Sequence, residues 1–568
     1  MNVRQCRSRR QRRSAPSWTR DIFQIVAIPI ALGLMATSSW AQGPSPSIRN
    51  ELGLTALSEL LGDLMPTGAG IKVGQVESPL TAGGTNYMPN GTQFASPDSQ
   101  LLDDTITDKN GSGTVSSHAT AVAQGIYGTN GVAPGVDSVD VYNANNWIYA
   151  SQMRTTNYRA PIVATQKVIN NSWVATFSGS DGLTTAVDLL RRVDYVVNRD
   201  QVVVVSSVNN GLATSFPQVV ASAYNGIAVG LTNGYSSPGP TTIDGAGRSK
   251  PDLVVPATST SVGTGWVSGA AALLLEVAGS NAAAAHPETI KAVLMAGAVK
   301  TPFDTTDSTP STLDNWSHTP EQPLDLLHGA GQLNVYNSML ILGSGQQSAS
   351  DTSDVSLQGW DYAAVAPTTT TTYFFEISEG EIATSFSAIA TWNRQIDFQQ
   401  GINYQPATLT PSLANVDIAL FHADGYSATS LIESSQSTID NVEHLYQTWL
   451  PAGRYEISVT TDSDVNMALA WNAQTVLLGD ANNDGSVDGA DYTNWADNFL
   501  QTGAGWGQGD FTLDGKVDGA DYTVWADHFL NNVTLTPVPE PSTFALGLLG
   551  LSAGLLGCLR RWQTSSSN

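Results

Sequence analysis

Two segments of this 568-residue chain place reactive side chains where a helix could hold them still. His118 stands in Gly113-Thr-Val-Ser-Ser-His-Ala-Thr-Ala-Val-Ala123, where an irregular Gly/Ser stretch runs into an apolar helical pattern. Seven His occur in the chain, and the other six lie at position 286 or beyond. An imidazole fixed at a helix opening titrates near neutrality and suits general acid–base work. Ser261 closes Ser259-Thr260-Ser261, shortly before the small-residue pattern Val267-Ser-Gly-Ala-Ala-Ala-Leu-Leu-Leu275. A serine at the start of such a helix can approach a carbonyl carbon while backbone N–H groups point at the developing negative charge.

A second chemistry is written as a repeat. Residues 480–491 and 510–521 are two copies of one acidic loop. Position by position they offer Asp480, Asn482, Asp484, Asp488 and Asp491, then Asp510, Thr512, Asp514, Asp518 and Asp521. Oxygen ligands at loop positions 1, 3, 5, 9 and 12, with Gly at 6 for the sharp turn, suit a hard cation that takes six to eight oxygens. Position 7, Ser486 or Lys516, would lend its backbone carbonyl. Calcium is the expected ion, bound less tightly by the second loop because Thr512 is a neutral ligand.

Composition narrows the function classes. Lys+Arg number 25 against 50 Asp+Glu, a net charge of −25, which is the wrong sign for gripping phosphates, so no nucleic-acid partner is expected. Hydrophobic residues reach 41%, enough to bury a core and exclude a disordered acidic chain. The two cysteines, Cys6 and Cys558, exclude a disulfide framework. No paired-carboxylate arrangement assignable to glycoside hydrolysis is evident.

The elements that must position these residues divide the chain into five parts. Residues 1–41, with seven Arg, an apolar run Ile22–Ala36 and the small-residue site Ser39-Trp40-Ala41, are expected to be a signal peptide. Residues 42–345 alternate short β-branched runs (Ile71–Val76, Ser138–Tyr142, Ile162–Ile169, Val202–Val205, Ile227–Val229) with helical stretches (His118–Tyr127, Leu183–Val197, Val267–Val277). That grammar predicts an α/β domain with a mostly parallel sheet. Gly343–Ser350 reads as a linker. Residues 346–475 switch to period-two alternation, as in Tyr373–Ile377 and Tyr455–Val459, and predict an all-β sandwich. The calcium module occupies 476–532 as a small helical domain. The tail 533–568 carries Val538-Pro-Glu-Pro-Ser542, an apolar run Phe544–Leu559 and Arg560-Arg561.

These segments resemble known families. His118-Ala-Thr-Ala-Val-Ala, Gly131-Val-Ala-Pro134 and Ser259-Thr-Ser261 with the small-residue helix behind it resemble the subtilisin-like serine peptidases over roughly residues 50–345. The resemblance implies Ser261 as nucleophile, His118 as its base and Asn209, in Asn209-Asn210-Gly211, as the oxyanion donor. It puts Glu77, after the strand Val73-Gly-Gln-Val76, where the family has the Asp that orients the histidine. Asp103, Asp104 and Asp108 are the alternatives. Val168-Ile-Asn-Asn-Ser172-Trp173 resembles the strand that binds substrate in extended form, so Ser172 and Trp173 are candidate substrate contacts. The calcium loops, each followed by Tyr-Thr-x-Trp-Ala-Asp-x-Phe-Leu, resemble a dockerin type I module, which implies a cohesin-like partner. The sandwich resembles those appended to secreted bacterial peptidases.

The tail resembles the PEP-CTERM sorting signal, which implies handling by export and sorting machinery. By hydropathy its apolar run reads as a short membrane segment, and the resemblance implies that sorting cuts it. The combined expectation is a secreted or envelope-associated, calcium-binding serine endopeptidase acting on protein or peptide substrates. The alternative is a catalytically inactive scaffold of the same fold. The stretch between Ala41 and Gly70 is short for the folding propeptide usual in that family.

Overall fold

The computed structural model describes residues 43–79, 81, 83–90, 106–136, 138–177, 181–306, 313–367 and 369–532. The expected signal peptide, the sorting tail, Asp103 and Asp104 lie outside them.

Seven short strands, most of them rich in Val and Ile, form one parallel sheet. Their order is Ile106–Asp108, Ser138–Asn143, Lys72–Glu77, Val168–Asn171, Val203–Ser207, Ile227–Leu231 and Leu253–Val255. Side chains alternate across a strand, and this assigns the two faces. Val73, Val168, Val203 and Val205 pack in one core with the helices Ser117–Ile126 and Thr260–Ala278. Val76, Ile169 and Val204 pack in another with the helix Gly182–Asp200. Gln75 and Glu77 therefore share the face of Val73, toward the helix that carries His118.

The helix Thr260–Ala278 is long and apolar enough to cross a membrane by length and composition, yet it is largely buried in this core. Its glycines explain the fit. A Cβ on Gly263 would lie 2.3 Å from Val255 Cγ2, and one on Gly269 would lie 2.7 Å from Val132 Cβ. Glycine inside a helix costs about 0.5–1 kcal/mol relative to alanine, here offset by close packing of helix against sheet.

The run Ile162–Ile169 does not form the strand its β-branched residues suggest; only Val168–Asn171 does. Ile162 and Val163 are exposed, and Ile162 pairs through its backbone with Gln152 instead.

After the helix Val335–Gly343 come two four-stranded sheets and a hairpin. One sheet is ordered Gln358–Val365, Val465–Leu477, Glu381–Trp392, Val442–Leu450. The other is ordered Thr371–Ile377, Gly453–Thr461, Val416–Ala423, Ala428–Ser435. The hairpin joins Gln395–Gln399 to Thr408–Ser412. The expected linker is ordered: Gln347 N–H donates to the Trp360 carbonyl at 2.8 Å, and the Gln346 amide donates to Asp361 Oδ1 at 2.8 Å. Trp360, Ile389, Val442 and Ala470 belong to the same apolar cluster as the parallel sheet. The sandwich residues 386–446 and 454–472 thus form one compact unit with the α/β domain.

A second unit comprises, of the described residues, 376–385, 447–453 and 473–532. It holds the helices Gly489–Asp497 and Gly519–His528, each behind one acidic loop. The two halves interlock reciprocally: Trp495 Nε1 donates to the Asp518 carbonyl and Trp525 Nε1 to the Asp488 carbonyl, both at 2.9 Å.

Candidate active site

Glu77 ends the strand Lys72–Glu77 and is fully buried. His118 is the second residue of its helix, whose first turn is capped by Ser116 Oγ accepting from the Ala119 N–H at 3.3 Å. Glu77 Oε2 lies 2.8 Å from His118 Nδ1. The other carboxylate oxygen, Oε1, accepts from Gln75 Nε2 at 2.8 Å. Gln75 cannot turn over freely: its Nε2 also donates to the Ala119 carbonyl at 2.9 Å, and its Oε1 accepts from the Tyr127 hydroxyl at 2.6 Å. Burial disfavours the charged imidazole, but the Glu77 charge and hydrogen bond outweigh it and hold the His118 pKa above 6.5.

Of the alternative acids, Asp108 is occupied elsewhere. It accepts from the Tyr87 hydroxyl and from the N–H groups of Asn110 and Gly113, at 2.7–2.8 Å, and so closes a turn rather than facing His118.

Ser261 is the second residue of the helix Thr260–Ala278, capped by Ser259, and is buried. Its hydroxyl donates to the Ser172 carbonyl at 3.3 Å rather than to His118, and the Ser172 hydroxyl reaches the Ser261 carbonyl at 2.9 Å. The candidate nucleophile and the candidate substrate strand are therefore in direct contact. The helices of His118 and Ser261 pack closely, with the Gly265 Cα facing the Val122 carbonyl. Hydrogen bonds between nucleophile and base are commonly unformed before substrate arrives.

Asn209 is half-buried and held by its backbone, its N–H donating to Gln218 Oε1 at 3.0 Å and its carbonyl accepting from the Ser237 N–H at 2.9 Å. The neighbouring Asn210 has a different task. Its Oδ1 accepts from the Thr260 N–H at 2.9 Å and from the Thr260 hydroxyl at 3.2 Å, tying the residue beside Ser261 in place. Nothing in the sequence marks that bond. Trp173 is buried with its ring edge-on to Trp147, centroids 6.4 Å apart.

In the second unit Asp480, Asp491, Asp510 and Asp521 are buried. Asp491 accepts from the N–H groups of Ala481, Asn482 and Asp488, and Asp521 from those of Thr512 and Asp518. Gly485 and Gly515 take φ of 83° and 80°, the left-handed turn expected at position 6. Burial and the neighbouring carboxylate Asp491 push the Asp480 pKa up, and the same pairing with Asp521 acts on Asp510. Among the described residues, no three His, Cys, Asp or Glu side chains converge as a ready-made metal cluster. Buried acids set beside a second carboxylate, Asp480 by Asp491 and Asp510 by Asp521, nonetheless fit a cation-binding loop.

The Subtilase family model matches residues 68–331. This part of the chain is a subtilase domain. A PEP-CTERM protein-sorting motif matches residues 537–561, beyond the described part. No curated protein matches the chain significantly. Similar solved structures include the patellamide maturation protease PatA, at 23% identity over 49% of this chain and 98% of that one, with a TM-score of 0.31. MycP3 from the type VII (ESX-3) secretion system is 17% identical over 54% and 90%, with a TM-score of 0.33. A protease from Pseudoalteromonas arctica PAMC 21717 is 16% identical over 53% and 99%, with a TM-score of 0.31. By the two family matches and the sheet topology, the chain joins a parallel-sheet α/β subtilase domain to antiparallel β-sheets and a sorting motif.

Proposed function

We propose that the chain is an exported serine endopeptidase whose catalytic group is Ser261, His118 and Glu77. The observation that carries the proposal is the 2.8 Å pairing of the buried Glu77 carboxylate with His118 Nδ1. That bond keeps the proton on Nδ1 and leaves Nε2 as the free base. Ser261, turned from the Ser172 carbonyl, attacks the scissile carbonyl carbon. Its proton passes to His118 Nε2 and then to the leaving amine. Asn209 and the Ser261 N–H receive the oxyanion, a donor whose loss typically costs about 3–4 kcal/mol of barrier. Ser172 and Trp173 line the substrate strand and set which peptides fit.

Calcium is the proposed cofactor of the two acidic loops. Asp480, Asn482, Asp484, Asp488 and Asp491, with the Ser486 carbonyl, would hold one ion. Asp510, Thr512, Asp514, Asp518 and Asp521, with the Lys516 carbonyl, would hold the other. The segments that follow the two helices expose Phe499, Leu500, Phe529 and Leu530, and a dockerin-like role would present them to a cohesin-like partner.

The turning of the Ser261 hydroxyl toward Ser172 favours a second reading, a scaffold that binds without cleaving. Casein digestion by the purified protein and by Ser261→Ala separates the two. Digestion by the wild type alone supports the enzyme. Equal digestion by both overturns the assignment of Ser261, and none by a fully folded wild type supports the scaffold.

A further inference from the structure

One face of the subtilase domain carries charge that its own residues do not fully pair. Asp194 is fully buried, and its Oδ2 receives Arg394 Nε and Nη2 at 2.9 and 2.6 Å. Arg394 belongs to the β-sandwich, immediately before the hairpin strand Gln395–Gln399. The same guanidinium lies 2.9 Å from Asp244 Oδ2. Its other side covers Tyr224, whose ring is flanked by Arg394 and Arg248 at 4.2 and 3.8 Å from the centroid. Backbone bonds fix the register: the Asn225 side chain both accepts from the Arg394 N–H and donates to the Arg394 carbonyl, at 2.8 and 2.9 Å.

The contact continues toward the site. Ser249 N–H donates to Asp440 Oδ1 of the sandwich at 2.6 Å. Ser249 opens the segment that runs through Leu253–Val255 to Ser261. Farther along, the buried Lys300 ammonium lies over the rings of Trp316 and the sandwich's Tyr446, at 5.2 and 4.5 Å. Buried charge persists in a fold only where it is paired or hydrogen-bonded, and here the cation that pairs Asp194 comes from the sandwich.

We propose that the β-sandwich is the obligatory intramolecular partner of the subtilase domain, docked by a buried charge lock centred on Arg394. The folding unit of the catalytic body then includes the sandwich and does not end near residue 345. The residues of the lock are distinct from Ser261, His118 and Glu77, so the proposal stands or falls apart from the catalytic reading.

The test uses the full chain in a Ser261→Ala background, which prevents self-digestion. A site for a sequence-specific protease is inserted between Asp351 and Ser353, in an exposed turn, and cut after folding. The expected result is that the two pieces co-elute and the subtilase and sandwich portions melt in one transition. In the uncut chain Arg394→Met should lower that transition, because Asp194 is left buried without its cation. Adding Asp194→Asn to Arg394→Met should recover most of the loss. Separation of the cut chain into a folded subtilase piece with an unchanged melting temperature would overturn the proposal. So would an Arg394→Met chain that melts where the parent does.

Discussion

Replacing Glu77 by Gln removes one charge and no volume, and the surrounding hydrogen bonds dictate how the new amide must sit. Gln75 presents an N–H to the position of Oε1, held there by the Tyr127 hydroxyl on its other end. The oxygen of the new amide must face that donor, so its NH₂ group faces His118 Nδ1, 2.8 Å away. Nδ1 is then forced to accept, and the ring proton moves to Nε2, the atom that should take the proton of Ser261. Wrong-tautomer loss of this kind costs about 10⁴ in kcat, or about 5.5 kcal/mol of barrier. Glu77→Asp keeps the charge but withdraws it by about one bond length, for which a loss near 10²-fold is expected. Gln75→Met combined with Glu77→Gln frees the amide to turn over and should recover part of the activity lost in Glu77→Gln alone. The assay is kcat/KM on a fluorogenic peptide, with melting curves to confirm folding. If Glu77→Gln keeps more than about a tenth of wild-type activity, where a lost triad charge should cost about 10⁴, another group orients His118 and the reasoning fails.

Four further outcomes are expected. The His118 pKa is raised, and the neutral ring is the working base, so the acid limb of kcat/KM should lie above pH 6.5 and move to lower pH in Glu77→Gln. The same shift means that the Glu77–His118 pair stabilises the fold fully below pH 6.5, and that this contribution fades as pH rises through the folded-state pKa. Asn210→Ala removes the acceptor of the Thr260 N–H and hydroxyl; at about 1–3 kcal/mol for a partner lost, kcat should fall by roughly tenfold or more. Chelation should lower the melting of residues 476–532 selectively, with Asp491→Ala more damaging than Thr512→Ala, as read by calorimetry with and without calcium.

Much of this arrangement was legible in the sequence because it depends on local pattern. The family resemblance puts Glu77 after the first strand, and the strand Lys72–Glu77 turns it to the side of the His118 helix. Capping serines and small residues mark both helix openings. The acidic loops are visible as a repeat because both copies carry the same acidic pattern within twelve residues. Three features were not legible, each for a physical reason. Gly343–Ser350 has the composition of a linker, but its glutamine amides satisfy partners around Trp360 and Asp361, which composition does not report. Ile162–Ile169 is rich in β-branched residues, yet its first half lies outside the sheet, so propensity there was overridden by context. Asn210 bonds Thr260 across fifty positions, and Arg394 bonds Asp194 across two hundred. No local spacing encodes such pairs.

The central claim is that Ser261 is a nucleophile activated by His118. Treating the purified, folded protein with a fluorophosphonate and locating the adduct by peptide mass spectrometry tests it directly. The account predicts one adduct, on Ser261, lost in Ser261→Ala and strongly slowed in His118→Ala. A folded protein that takes no label, or one whose labelling persists in Ser261→Ala, would contradict it.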